Sequence, residues 1–66
     1  MKVASDVKIY EVNGVDSVKV GETPLMTVRS HWNYTDRVCI EIDGQVGVVT
    51  VMAGDLVKAI HNAMNH

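Results

Sequence analysis

The chain has a single cysteine, a single proline, no phenylalanine and no long apolar run. With Cys39 alone, no disulfide can form within the chain, and no cysteine or histidine pair has the spacing of a zinc site. No apolar stretch approaches the roughly 18 residues that a membrane-spanning helix needs. Asp6 precedes any apolar stretch, which predicts that no signal peptide is present. Together these absences predict a cytoplasmic protein with no membrane partner, since a lone cysteine is typical of reducing compartments.

The charge balance is slightly acidic, with 6 basic and 8 acidic residues and a formal net charge of −2. Proteins that bind duplex nucleic acid need an excess of lysine and arginine to displace the counterions of the phosphates. This chain has no such excess, so duplex nucleic acid is not an expected partner. The sequence also contains no dinucleotide-binding, phosphate-loop or metalloprotease motif, and no cofactor is predicted.

The length of 66 residues predicts one domain covering residues 1–66. Size scaling gives about 6,000 Å² of buried surface, which contributes on the order of 95 kcal/mol at about 60% apolar content. Ordering the backbone and side chains costs about 100 kcal/mol. Because these terms nearly cancel and no disulfide or metal is available, the sequence predicts a homo-oligomer.

The content of 13 valines favours β-structure, and turn signals divide the chain into five segments. Asn13-Gly14 and Asp43-Gly44 are hairpin turns between apolar runs, and Pro24 interrupts a strand pattern. The predicted strands are residues 6–12, 15–20, 25–32, 36–42 and 46–51. The expected fold class is α+β, a five-stranded antiparallel β-meander with one C-terminal helix packed on it. A small closed barrel is the alternative.

Alternation of apolar and polar residues predicts the strand register. A two-residue turn at Asn13-Gly14 pairs Val7 with Val20 and Ile9 with Val18. In the second hairpin, Val28 faces Ile40 and Met26 faces Ile42, while the opposite face pairs His31 with Arg37, Arg29 with Cys39 and Thr27 with Glu41. Residues 48–51 lack alternation, which predicts burial on both faces.

Residues 53–65 have helical periodicity. Leu56, Ile60, Ala63 and Met64 recur on one side, and Asp55 lies in the first turn, where the helix dipole favours a negative charge. The pattern predicts that Ile60 is buried against the sheet.

The strongest candidate for a binding site is the polar and aromatic segment between the third and fourth strands. It contains the only tryptophan, one of the two tyrosines, and residue types that are enriched at protein interfaces. The predicted contact surface consists of Arg29, His31, Trp32, Tyr34 and Arg37. In the alternative interpretation Trp32 fills the core and Tyr34 covers it, because the core has no other large aromatic residue.

Two further alternatives remain for the same residues. Arg29, His31 and Arg37 together predict a site for an anionic small molecule such as a nucleotide, unless Asp36 and Glu41 neutralise them in surface ion pairs. His31 and Cys39 on adjacent strands could form a nucleophile pair, or a metal site with Glu41. No third catalytic group accompanies them, so neither an enzyme nor a metal site is predicted.

The second half of the chain resembles small, uncharacterised accessory proteins of bacteriophages. The resemblance rests on Ser30-His31-Trp32-Asn33, residues 38–44 and Asp55-Leu56-Val57-Lys58-Ala59-Ile60. It implies a short β-meander capped by a helix, located in the host cytoplasm, that blocks a host factor or sequesters a signal molecule. The expected function is therefore inhibition of a host protein by direct contact, in anti-defence or host takeover. The alternatives are a homo-oligomeric sponge for an anionic small molecule and a structural assembly component.

Overall fold

In the part of the chain that the structure describes, six strands precede one helix, which is formed by the segment with helical periodicity. The computed structural model describes residues 3–17, 21 and 23–65. The elements are β1 (Ala4–Lys8), β2 (Glu11–Val12), β3 (Val15–Asp16), β4 (Leu25–Ser30), β5 (Arg37–Ile42), β6 (Val49–Met52) and α1 (Ala53–Met64). All strand pairs are antiparallel, so the α+β class is confirmed.

The strands form a four-stranded sheet in the order β1-β4-β5-β6 and a separate pair, β2-β3. The predicted five-stranded meander is therefore wrong, because β1 pairs with β4 rather than with the segment that follows it. Val7 lies opposite Met26, and its predicted partner, Val20, lies outside the described residues. The four-stranded sheet is open, with β1 and β6 at its edges, which also argues against the closed barrel.

The predicted turn at Asn13-Gly14 is confirmed. Both residues have positive φ angles, 52° and 78°, as the central residues of a type I′ turn require. Val12 pairs with Val15 as expected, and within the described residues the ladder continues to Glu11 and Asp16. The predicted partnership of Ile9 with Val18 falls on residues 18–20, outside the described part. The peptide N–H of Ile9 instead donates to the carbonyl of Pro24 at 3.0 Å.

The register of β4 and β5 agrees with the predicted one. The pairs Met26–Ile42, Val28–Ile40, Thr27–Glu41 and Arg29–Cys39 all lie opposite each other. The ladder ends at Ser30 and Val38, so the predicted pair of His31 with Arg37 is not part of it, and Arg37 pairs with Met52 of β6 instead. Residues 31–36 therefore form a longer connection than predicted. Because opposed residues project to one side of the sheet, this register separates an apolar face from a polar face.

The apolar face is formed by alternate residues of all four strands. Its members are Val7, Met26, Val28, Val38, Ile40, Ile42, Val49 and Val51, with Ser5 and Ser30 towards the β1 edge. The polar face carries the charged side chains, among them Asp6, Arg29, Arg37 and Glu41. On it the Thr27 hydroxyl donates to Asp6 Oδ1 at 3.0 Å.

Strand β6 and the helix differ from the prediction in their packing. Residues 48–51 are not buried on both faces, since Val48 and Val49 are exposed. The helix begins at Ala53, and its N-cap Met52 makes no side-chain capping bond. Its principal contact is with β6, and Ile60 is 53% exposed. The prediction that α1 buries Ile60 against its own sheet is therefore wrong.

The core of the chain is small. Among the described residues only Cys39 and Ser17 are buried, with 4% and 3% exposure. Cys39 lies on the inner strand β5, between Arg29 and Thr50 on the flanking strands. Of the described helices, none combines the length and the apolar character needed to cross a membrane.

Two glycines provide a matched test of backbone strain. Gly44 has a φ of 86°, whereas Gly54 lies in the helix, and an added Cβ would meet nothing within 4 Å at either position. We expect Gly44→Ala to lower the free energy of unfolding by about 1 kcal/mol, because L-residues disfavour that conformation. Gly54→Ala should raise it by about 0.5–1 kcal/mol. Urea unfolding measures both changes, and equal effects of the two substitutions would contradict this interpretation.

Candidate functional site

The tip, defined here as the connection between β4 and β5 (residues 31–36) together with Arg37 at the start of β5, is organised by His31. Its Nδ1 atom accepts hydrogen bonds from the peptide N–H groups of Asn33, at 3.1 Å, and Tyr34, at 3.2 Å. An imidazole nitrogen that accepts must carry a lone pair, which places the ring hydrogen on Nε2. The side chain thus satisfies two backbone donors that the sheet ladder does not reach, and it gives the tip a defined conformation.

Trp32 is exposed at the tip rather than buried in the core. It is 75% exposed, and its ring stacks on His31 with a centroid separation of 3.8 Å and an interplanar angle of 24°. The interpretation of Trp32 as a core plug is wrong, because the residue follows the last paired position of β4. No second layer of the described structure covers the sheet at this end.

Tyr34 and Arg37 form a second aromatic unit beside the first. The guanidinium carbon of Arg37 lies 4.0 Å from the centroid of the Tyr34 ring, within the range of a cation–π contact. The His31 and Tyr34 rings are 5.4 Å apart. Tyr34 remains 46% exposed and covers no tryptophan, so the interpretation of Tyr34 as a lid over a core tryptophan is also wrong.

The charge of Arg37 is only loosely compensated. Its Nε atom lies 3.8 Å from Asp36 Oδ1 and has no hydrogen-bond acceptor among the described residues. The side chain as a whole is 40% exposed. The Nε atom itself is buried. Because an ion pair at this distance between two partly exposed side chains contributes little, Arg37 can exchange Asp36 for an acidic group of a partner at small cost.

Trp32 lines two shallow cavities. One, of about 470 Å³, is lined by Ser30, Val38 and the tip residues His31, Trp32, Asn33, Tyr34, Thr35 and Arg37. The other, of about 330 Å³, is lined by Val3, Ala4, Arg29, Ser30, Trp32, Cys39 and Val48. Four of the five predicted site residues thus share one cavity, while Arg29 lies in the neighbouring one.

Arg29 is the predicted site residue that the structure separates from the others. It forms an ion pair with Glu41 on the polar face, which the register favours because these residues occupy neighbouring positions on β4 and β5. Its charge is therefore compensated within the chain. The three cations proposed for an anion site do not converge.

Cys39 and His31 do not form a reactive pair. The Cys39 thiol is buried, and its Sγ lies 3.8 Å from the Thr50 hydroxyl oxygen, whereas the Nδ1 of His31 is occupied by the tip backbone. In the described part of the chain, no three histidine, cysteine or acidic side chains lie together as a metal site would require.

Sequence reasoning did not identify Val3, Ala4 and Val48 as neighbours of Trp32. Val3 reaches the site because Ser30 exchanges two hydrogen bonds with it, the Val3 N–H donating to Ser30 Oγ at 2.9 Å and the Ser30 N–H to the Val3 carbonyl at 2.9 Å. This contact depends on the pairing of β1 with β4, which no local pattern encodes.

The tip is thus an exposed aromatic and cationic surface held by internal contacts, and two open cavities flank it. Such an arrangement is typical of a contact surface, because its largest side chains project into solvent rather than enclosing a ligand. No protein-family model, curated protein or solved structure matches this chain.

Proposed function

We propose that this chain is a small, non-enzymatic binding protein that acts by protein–protein contact through the tip. In keeping with its resemblance to phage accessory proteins, the proposed partner is a host protein that it inhibits, in anti-defence or host takeover. The observation that carries the proposal is Trp32, a large aromatic side chain that is 75% exposed yet held in place by stacking on His31.

Preorganisation of the tip supports this function. Tryptophan, tyrosine and arginine dominate the energetics of protein interfaces, and ordering a mobile side chain on binding costs about 0.5–1.5 kcal/mol. At the tip, stacking on His31 restrains Trp32, and the cation–π contact restrains Tyr34 and Arg37 before any partner arrives. A smaller part of the binding free energy is therefore lost to ordering these side chains than if they were mobile.

The chemistry of the tip defines the proposed partner surface. Trp32 would enter an apolar recess, and the loosely paired Arg37 would meet an acidic group at its rim. The favoured partner is thus a protein surface with an apolar pocket bordered by aspartate or glutamate. Its inhibition would follow from steric occlusion of that pocket, which requires no chemistry from this chain.

A sponge for a nucleotide-like anion is the weaker alternative. The His31–Trp32 stack offers an aromatic surface for a base, but Glu41 compensates Arg29 and His31 Nδ1 acts as an acceptor. Arg37 alone would then face the phosphates. A structural assembly component remains the third candidate, which large particles would indicate.

Capture of a partner from bacterial lysate tests the proposal. The full-length tagged chain should retain a host protein that Trp32→Ala loses, because that substitution removes the central anchor. Tyr10→Ala is the matched control, since Tyr10 is also an exposed aromatic residue, at 64%, but lies outside the tip. Identical capture by all three proteins, or a thermal shift with nucleotides and no captured protein, would contradict the proposal.

A further inference from the structure

Within the part of the chain that the structure describes, the apolar face of the four-stranded sheet is only partly covered. None of its eight apolar members is buried: five are half-buried, and Val7, Ile42 and Val49 are exposed, Val49 by 60%. The residues of this face carry no charge, whereas the opposite face carries the Arg29–Glu41 ion pair and the hydrogen bond from Thr27 to Asp6. Soluble monomers rarely leave a continuous apolar surface of this kind in water.

Helix α1 also has an apolar surface that is largely exposed. Its apolar stripe consists of Leu56, Val57, Ile60 and Met64, of which Ile60 is 53% and Met64 77% exposed. Only Leu56 is half-buried. The chain therefore has an apolar helix and an apolar sheet face that do not cover each other.

The connection between the two elements explains why they remain apart. Strand β6 ends at Met52 and the helix begins at Ala53, with no residue between them. A helix that folds back over its preceding sheet normally needs a loop of about 2–6 residues. The direct junction restricts how α1 can turn back onto the sheet of its own chain, and such short hinges favour exchange between copies.

The surface area indicates how much is left uncovered. The chain exposes 5583 Å², roughly 1,500 Å² more than the about 4,100 Å² typical of a folded monomer of its 7.2 kDa mass. Its radius of gyration of 13.5 Å likewise exceeds the about 11 Å expected for this length. A standard interface buries about 800 Å² per partner, so the excess is more than enough for a stable dimer.

We propose that a second copy of this chain covers the apolar face, with helix α1 of each copy packed on the sheet of the other. Each chain supplies one apolar sheet face and one apolar helix stripe. In a two-fold symmetric dimer, each helix would cover the sheet of the other chain, so that both apolar surfaces of both chains are buried. Their dimensions agree, because the 12-residue helix is about 18 Å long and four strands span about 14–19 Å.

This occupant is favoured over an unrelated partner by the lack of charge on the face. A different protein would need polar or charged groups to select it, and those groups lie on the polar face and the tip. The exchange leaves Arg37 and Trp32 free, because Arg37 belongs to the polar face and Trp32 follows the end of β4. The proposed dimer would therefore leave the tip available to the proposed host partner.

Cross-linking between differently tagged, co-expressed chains tests the exchange. One chain carries Val28→Cys, at the centre of the apolar face, and the other carries Ile60→Cys, in the helix stripe. A short bismaleimide should link the two chains to each other, while either variant alone gives no covalent dimer. The unmodified chain is the control for Cys39, which is 4% exposed.

Three outcomes would overturn the exchange. They are linkage of Val28→Cys to itself, which indicates sheet-on-sheet contact; no linkage; and a monomer mass for the unmodified chain in sedimentation. Ile40→Cys with Met64→Cys is a second pair on the same two surfaces, to be used if the first pair fails to fold. Partner capture plays no part in this readout, so failure of the dimer is distinguishable from failure of the host-binding proposal.

Discussion

The double variant Tyr34→Ala/Arg37→Ala is expected to bind the captured host partner at least about thirtyfold more weakly than the unmodified chain. Truncation of an interface anchor typically costs about 2 kcal/mol or more, and 2 kcal/mol corresponds to about a thirtyfold change in the dissociation constant. The substitutions remove an exposed ring and the guanidinium group that packs on it at 4.0 Å. Isothermal titration with the purified partner measures the loss.

The melting temperature of this variant should stay close to that of the unmodified chain. Both residues lie beyond or at the end of the β4–β5 ladder, and neither is buried. Lys58→Ala/His61→Ala is the matched control, because it removes two exposed polar side chains from the helix without touching the tip. Unchanged binding by the folded tip variant would locate the contact elsewhere.

Val49→Asp is expected to abolish self-association. In the exchanged dimer, Val49 would lie beneath the partner's helix, where an unpaired carboxylate costs several kcal/mol. A loss of about 3 kcal/mol or more weakens association by over 100-fold. Val46→Asp is the control, since the same substitution there falls on a fully exposed loop residue.

Sedimentation and thermal melts at several concentrations distinguish the outcomes. For the unmodified chain, mass action predicts that a tenfold increase in concentration adds about 1.4 kcal/mol to the stability of the dimer. That increment should raise the melting temperature by about 5 °C. Val49→Asp should melt at a lower temperature that does not depend on concentration, while Val46→Asp behaves like the unmodified chain. Self-association of the Val49→Asp variant as strong as that of the unmodified chain would contradict the proposed interface.

Structural features set by residues close together in the sequence were predictable. Asn13-Gly14 specified its turn because few other residue pairs tolerate two positive φ angles. The register of β4 and β5 followed from alternation, since a shift by one residue would have moved Val28 opposite Glu41. The helix followed from periodicity, since the predicted range of residues 53–65 contains the observed helix, Ala53–Met64.

The aromatic and cationic residues of the candidate site were predictable, but its apolar neighbours and its arrangement were not. Composition alone marked His31, Trp32, Tyr34 and Arg37, because aromatic residues are scarce elsewhere in the chain. Whether Trp32 lay in the core or in solvent depended on whether a second layer covered that end of the sheet. Arg29 had two acidic candidates for an ion pair, and only the register placed it beside Glu41.

The sequence by itself determined the α+β class, the C-terminal helix, the turn at Asn13-Gly14, the register of β4 and β5, and where the unusual side chains gather. The tertiary structure decided that β1 pairs with β4, that Trp32 is exposed and that α1 leaves its own sheet uncovered. The physical reason is that apolar periodicity reports only that a face avoids water. It does not state whether the cover comes from the same chain or another.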